Sequence, residues 1–177
     1  MKLYYFVLPF LFLTGSLIAQ EKEVIMEKLE NNSSADRKDN LAFAADTVNR
    51  SDEFFVMASR FEVEKTVSRL KQYLKARDIP VFALFDHGEN ARKAGLDLRP
   101  TQVLVFGSPM VGTALMQENQ LIALELPLKI AVWEDKDGKV WAGFLQMEKL
   151  ARQYGLQHHP VIAKMQVLLE DLVRQSV

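Results

Sequence analysis

The chain of 177 residues contains no cysteine. This excludes disulfides, thiolate nucleophiles and the zinc and iron–sulfur sites that depend on cysteine ligands. There is also no excess of positive charge, because 22 Lys and Arg residues face 23 Asp and Glu residues and leave a net charge of −1. Nothing in this balance indicates a nucleic-acid-binding protein. The G-x-S-x-G motif of hydrolases and the H-E-x-x-H motif of zinc peptidases are missing as well, so the sequence favours a non-catalytic protein.

Long apolar runs are scarce, and the one that stands out lies at the N-terminus. Lys2 precedes an apolar stretch from Leu3 to Leu13, and charge begins abruptly at Glu21. This pattern predicts a secretory signal peptide over residues 1–19, which would place the mature chain in the periplasm or outside the cell, with no stable membrane span. The alternative is a retained membrane anchor, for which the run is short against the roughly 20 residues that a span needs.

The next segment, residues 20–52, is polar and contains the turn-rich string NNSSAD. It lacks a sustained apolar face and is interpreted as a spacer. The folded domain is therefore predicted over residues 53–177, a length that supports one domain with a proper core.

Within that domain, apolar periodicity predicts mixed α/β structure. Val63, Val67, Leu70 and Leu74 follow steps of four, three and four, which is one face of a helix. The predicted strands are residues 53–59, 80–85 and 101–107 and a hairpin within 128–144, and the last helix is predicted over 159–175. This order favours antiparallel pairing over the regular alternation of a doubly wound sheet.

The hairpin allows a prediction of register. If Lys136, Asp137 and Gly138 form a type I turn with glycine in the left-handed position, Asp135 pairs with Lys139. Trp133 then lies opposite Trp141, and Ala131 lies opposite Gly143. One face of the hairpin thus carries two tryptophans beside two very small residues. It fits either a second packed layer or the floor of an apolar pocket.

A glycine-rich string, FGSPMVGT, follows the third predicted strand and is similar to a phosphate-binding loop. The lysine that such a loop needs after its second glycine is absent, and Pro109 has no backbone N–H to offer an anion. The string therefore predicts a helix start, with Ser108 as the N-cap and Pro109 in the first turn. The N–H groups of Val111 and Gly112 remain candidates for binding a small anion.

His87 lies beside Asp86 at the end of the second predicted strand, where functional loops are common. It is either a turn residue or a general base or metal ligand. Met116 and Met110 offer thioether ligands that could complete a copper or haem site with His87, although methionine more often fills a core.

Three strings, LRPTQVLVFGSPMVGTALM, LELPLKIAVWED and DGKVW, closely resemble the domain of unknown function family 302 (DUF 302), and the resemblance covers about residues 53–175. It implies a TATA-binding-protein-like α/β domain, with a strongly curved antiparallel sheet around a long helix, and homodimer formation. The family has no established activity. Its pattern falls on His87, Arg99, Pro100, Phe106, Gly107, Pro109, Gly112, Thr113, Met116, Pro127, Lys129, Trp133 and Gly138.

Three functional hypotheses follow from these features. The first is a non-catalytic module that binds a small anionic or amphipathic ligand. Its predicted ligand-binding residues are His87, Gly107, Gly112, Thr113, Lys129 and Trp133, brought together in one cavity. The second is a metal- or haem-binding protein that uses His87 and Met116. The third is a structural domain that binds a partner through an apolar patch.

Overall fold

A computed structural model describes residues 48–51 and 53–177. In this part of the chain the strands form one six-stranded antiparallel sheet in the order β1–β2–β6–β5–β4–β3. The strands are β1 Val48–Arg50, β2 Phe54–Ser59, β3 Val81–Asp86, β4 Thr101–Phe106, β5 Leu128–Glu134 and β6 Val140–Leu145. The predicted signal peptide and most of the predicted spacer lie outside the described residues.

Two long helices pack on each other and against one face of the sheet. The helices are α1 Val63–Lys75, α2 His87–Lys93, α3 Pro109–Glu118, α4 Met147–Tyr154 and α5 Pro160–Ser176, with a 3-10 helix at Gln120–Leu124. The two long ones are α1 and α5. The predicted fold class, mixed α/β with an antiparallel sheet packed on helices, is confirmed.

Helix α1 packs against the sheet through apolar side chains that recur at helical spacing. Val63, Val67, Leu70 and Leu74 are all buried, as their periodicity predicts. Thr66 is buried among them, and its hydroxyl lies 2.7 Å from that of Ser59 at the end of β2. A buried polar pair that satisfies itself in this way costs the core little.

Helix α5 begins where the sequence predicts. The His159 side chain is the N-cap, and its Nδ1 accepts a hydrogen bond from the Val161 N–H at 3.2 Å. The buried face of α5 contains Ile162, Met165, Leu169 and Leu172, again as predicted. Both long helices therefore follow directly from their apolar spacing.

The β5–β6 hairpin has the predicted register. The Asp135 N–H donates to the Lys139 carbonyl at 2.9 Å, and Gly138 adopts a positive φ of 76°. Trp133 lies opposite Trp141, and Ala131 lies opposite Gly143. The turn chemistry of Asp135 to Gly138 thus sets which residues share each face of the hairpin.

Strand β1 is a feature that the sequence analysis did not predict. It lies inside the segment interpreted as a spacer, yet it pairs antiparallel with β2, with Val48 opposite Met57. The turn between the two strands is held by Ser51, whose hydroxyl accepts the Phe54 N–H at 2.9 Å. The sheet therefore extends to the N-terminal side of residue 53. No helix among the described residues is both long and apolar enough to cross a membrane.

Candidate functional site

The face of the sheet turned away from α1 and α5, which we call the open face, carries a row of small and apolar residues. Directly opposite residues in an antiparallel sheet share a face. The pairings therefore align Val56, Gly143, Ala131, Val103 and Phe85 across five strands. Glycine and alanine at the centre of this row leave a depression between bulkier neighbours.

The sheet opens at one end between its two central strands. The β5–β6 pairing runs from Glu134 and Val140 to Ala131 and Gly143, although β5 begins at Leu128 and β6 continues to Leu145. Over these unpaired ends, β5 stays attached to β4 and β6 stays attached to β2. The two halves of the sheet therefore separate, and we call this opening the fork.

A cavity of about 580 Å³ lies at the fork. Its size falls within the roughly 300–1,000 Å³ typical of small-molecule sites. Most of its wall is apolar, including Phe54, Val56, Val103, Leu145, Leu150 and Leu169. Leu150 and Leu169 are core residues with 3% and 0% of their surface exposed, so the cavity runs from the open face through the fork and ends against the core between sheet and helices.

Polar groups line the same cavity beside its apolar wall. The Lys129 ammonium is exposed and donates to the backbone carbonyl of Glu125 at 3.1 Å. The Glu125 carboxylate accepts a hydrogen bond from the Tyr154 hydroxyl at 3.0 Å. Burial of that phenol, together with its bond to Glu125, raises the pKa of Tyr154. The carboxylate is thus held by Tyr154, whereas two of the three ammonium donors of Lys129 have no hydrogen bond among the described residues.

The two tryptophans of the hairpin have different environments. Trp133 lines the cavity, and its ring lies 3.5 Å from the position that a Cβ on Gly143 would occupy. Trp141 does not line it; its indole N–H donates to the Asp135 carboxylate at 2.7 Å. This bond is the main reason why the pKa of Asp135 is lowered. One tryptophan therefore shapes the cavity and the other fixes the turn.

A second, smaller cavity of about 290 Å³ lies beside α3. Its wall includes Gly107, Gly112, Thr113 and Met116, together with Phe82 of β3. Leu128 contributes to both cavities, so they are neighbours at the start of β5.

Comparison with known proteins agrees with this architecture. Residues 55–172 match the family described as "Domain of unknown function DUF302". The chain belongs to this family. A solved structure described as an "uncharacterized conserved protein DUF302 from Bacillus stearothermophilus" superimposes with a TM-score of 0.63. It is 21% identical in sequence, and the match covers 70% of this chain and 98% of that one, which supports a common fold.

Curated relatives of this DUF302 protein are longer chains. "Fluoride-specific ion channel FluC 1" of Brucella suis is 41% identical over 98 residues, which is 55% of this chain and 39% of the relative. "Fluoride-specific ion channel FluC 2" of Brucella melitensis is 41% identical over the same length, which is 36% of that relative. The chain thus spans less than two fifths of the length of these relatives.

The FGSPMVGT string leads from the end of β4 into the start of α3, and one detail of its prediction is wrong. The Gly112 N–H donates to the Ser108 carbonyl at 3.0 Å, so it is an internal helix bond and is not available to an anion. Ser108 and Pro109 occupy the predicted N-cap and first-turn positions, but the Ser108 side chain makes no capping bond. The glycine is therefore part of a helix rather than of an anion-binding loop.

This placement makes Gly112 a site for stabilisation. We expect Gly112→Ala to raise the free energy of unfolding by about 0.5–1 kcal/mol, because alanine loses less backbone entropy in a helix. A Cβ would meet only Leu126 at 3.7 Å and Met116 at 3.9 Å, both ordinary contacts. Thermal unfolding would measure the gain. Gly155→Ala is the contrasting control, since Gly155 has a φ of 73° and alanine there would be strained. A destabilised Gly112→Ala protein would contradict the expectation.

His87 lines neither cavity. It follows Asp86 at the end of β3, where Asp86 caps α2 by accepting the Glu89 N–H at 2.8 Å. The Gly107 turn lies at the other end of β3, because its N–H donates to the Pro80 carbonyl. The five steps from Val81 to Asp86 separate these two ends by about 17 Å.

The metal interpretation receives no support from this placement. Met116 lines the second cavity near the start of β3, whereas His87 follows the end of that strand, and Met110 is 84% exposed. The described residues also contain no cluster of three or more histidine, aspartate or glutamate side chains that could hold a metal ion.

The six predicted ligand-binding residues are therefore distributed over three places. Lys129 and Trp133 line the first cavity, Gly107, Gly112 and Thr113 line the second, and His87 lies apart from both. No sequence pattern marks Val56, Val103 and Leu169 as cavity residues. They read as ordinary core positions of strands and helix, and only the fork brings them to one cavity.

Proposed function

We propose that this DUF302 domain binds a small amphipathic molecule with an anionic head group, and that it does so without catalysis. The observation that carries the proposal is the fork, which opens a mostly apolar cavity at the edge of the core. An apolar cleft of about 580 Å³ with a few polar groups beside it is the kind of site that holds small molecules.

The apolar body of the ligand would enter through the fork. Phe54 and Leu145 lie on one side of the opening, and Leu128 lies on the other. Leu150 and Leu169 form the inner wall. Each methylene of a ligand buried there would contribute about 0.8 kcal/mol, which favours an aliphatic chain over a small polar molecule.

The head group would meet Lys129. Its ammonium is the cationic group in the lining of this cavity, and it is exposed enough to turn towards a bound carboxylate. A hydrogen bond to a charged partner contributes roughly 1.5–3 kcal/mol. The neighbouring Glu125 carboxylate would repel an anion less strongly than a carboxylate without a partner, because the Tyr154 hydroxyl already donates a hydrogen bond to it.

The fluoride ion named for the Brucella relatives is a poor match for this cavity. A small, strongly hydrated anion loses much of its hydration in an apolar site, and one lysine does not replace it. Fluoride therefore serves as a negative control in the tests below.

Calorimetric titration with dodecanoate tests the proposal. We expect saturable binding to the wild-type chain, and at least a tenfold weaker affinity in Ala131→Leu, because the larger side chain fills the floor of the first cavity. Ala123→Leu is the matched control, since Ala123 lines only the second cavity. Its affinity should equal that of the wild type.

The head group is tested separately with Lys129→Met. The wild type should prefer dodecanoate over dodecanol by about tenfold, and the variant should lose this preference while keeping its affinity for the alcohol. Three results would contradict the proposal: no binding of either probe, equal losses in Ala131→Leu and Ala123→Leu, or a response to sodium fluoride that matches the response to dodecanoate.

A further inference from the structure

One short segment of the chain separates the first cavity from the second. Glu125 and Lys129, at the two ends of this segment, line the first cavity. Leu126 and Pro127 line the second cavity, and Leu128 lines both. The Lys129 ammonium donates to the Glu125 carbonyl at 3.1 Å and so ties the two ends of the segment together. We call residues 125–129 the partition, and at Leu128 it is a single residue thick.

Both cavities end against the same helix. Leu169 belongs to the wall of the first cavity and Met165 to the wall of the second. These two residues lie four positions apart on the buried face of α5, which is a rise of about 6 Å. At the surface, Pro127 and Lys129 are exposed on either side of Leu128, with Cα atoms at most about 7 Å apart. The two cavities therefore run side by side, from adjoining mouths at the partition to α5.

The second cavity suits an apolar group without a charge. Its volume of about 290 Å³ is half that of the first cavity and lies at the lower limit for small-molecule sites. No charged side chain belongs to the described residues that line it, and its side-chain hydroxyls are those of Ser108 and Thr113. A charged group placed there would lose hydration without gaining an ionic partner. Lys129, on the other side of the partition, offers that partner.

We propose that the two cavities together hold one amphipathic molecule with two apolar chains joined at an anionic group, as in a phosphodiester. This inference rests on the proposed function and extends it from one chain to two. The longer chain fills the first cavity, the shorter chain fills the second, and the anionic group lies over the partition against Lys129. Such a ligand uses both cavities without burying a charge in either. Because its chains are joined, the second adds apolar contact at little further loss of translational freedom.

Calorimetric titration of the full chain with two phosphodiesters of equal charge tests the inference. The probes are dodecyl methyl phosphate and dodecyl hexyl phosphate, both used below the concentration at which they form micelles. The hexyl chain should raise the affinity for the wild type by about tenfold or more, because its additional methylenes are buried. In Ala123→Leu this gain should fall below about threefold, since the larger side chain fills the second cavity. The affinity of this variant for dodecyl methyl phosphate should stay that of the wild type.

Ala163→Leu is the matched control for the titration. Ala163 is exposed on α5 and lines neither cavity, so the variant should keep the full gain from the hexyl chain. Circular dichroism should show that both leucine variants are folded.

NMR of methyl-labelled methionine locates the second chain without a substitution. Met116 and Met165 line the second cavity, whereas Met147 is buried and lines neither. Dodecyl hexyl phosphate should shift the methyl signals of Met116 and Met165 much further than dodecyl methyl phosphate does. The signal of Met147 should respond equally to the two probes.

The outcomes distinguish this inference from the proposed function on which it rests. Binding of dodecyl methyl phosphate with no gain from the hexyl chain would overturn the two-chain inference and leave the one-chain site standing. If neither probe binds, both are overturned. An equal loss of the gain in Ala123→Leu and Ala163→Leu would also overturn the inference, as would equal shifts of Met116 and Met165 with the two probes.

Discussion

Replacement of Gly143 by valine is expected to lower the free energy of unfolding by about 3 kcal/mol or more. A Cβ at this position would lie 2.9 Å from the carbonyl oxygen of Phe55 and 3.0 Å from a methyl group of Val56. The Phe55 oxygen belongs to the backbone of β2, which pairs with β6 along its whole length, so it cannot move without disturbing that pairing. Urea denaturation followed by circular dichroism would measure the loss.

An alanine pair isolates the effect of the Cβ itself. Gly143→Ala should lose about 2 kcal/mol, because the added atom is the one that clashes. Gly107→Ala should change stability by less than about 0.5 kcal/mol, since its Cβ would meet Phe82 at 3.6 Å and Pro127 at 3.8 Å. Equal stability of the two variants would show that the close approach of β2 does not restrict the size of the side chain at position 143.

The glycine that brings β2 close to β6 also forms part of the cavity floor. Gly143 and Ala131 lie opposite each other at the last paired position before the fork. Bulkier residues here would fill the depression on the open face and remove the entrance for a ligand. Gly143 thus allows both the close packing of β2 against β6 and the open space of the cavity beside them.

Much of the fold follows from local patterns in the sequence. The α1 face of Val63, Val67, Leu70 and Leu74 repeats at helical spacing, and the Asp135–Gly138 turn sets the hairpin register. Such patterns report which face of an element is buried. Strand β1 has only three residues, which are Val, Asn and Arg, and this is too short for a pattern to emerge.

The candidate site was less predictable because it depends on long-range pairing. The sequence places His87 and Gly107 at two strand ends, but antiparallel pairing of β3 with β4 sends these ends in opposite directions. The fork is equally hidden, because Leu128 and Leu145 look like ordinary strand residues. Where the β5–β6 pairing ends, β5 remains paired with β4 and β6 remains paired with β2. These long-range pairings leave no local pattern in the sequence.

Leu169→Ala should have a large effect on stability and a selective effect on binding. Leu169 is fully buried on α5 and lines the inner wall of the first cavity. The truncation should lower the free energy of unfolding by about 2–4 kcal/mol, as expected for a core leucine. It should also deepen the cavity and raise the affinity for tetradecanoate relative to dodecanoate by up to about tenfold, since two further methylenes contribute about 1.6 kcal/mol.

Leu172→Ala separates the two effects. Leu172 is as deeply buried on the same helix but lines neither cavity, so its truncation should destabilise the protein to a similar extent. Its chain-length preference should stay that of the wild type, as measured by calorimetric titration with both fatty acids. A change of preference in Leu172→Ala equal to that in Leu169→Ala would mean that loosened packing, rather than the shape of the fork cavity, admits the longer chain. A preference that changes only in Leu169→Ala would place the end of the aliphatic chain against α5, between the two halves of the sheet.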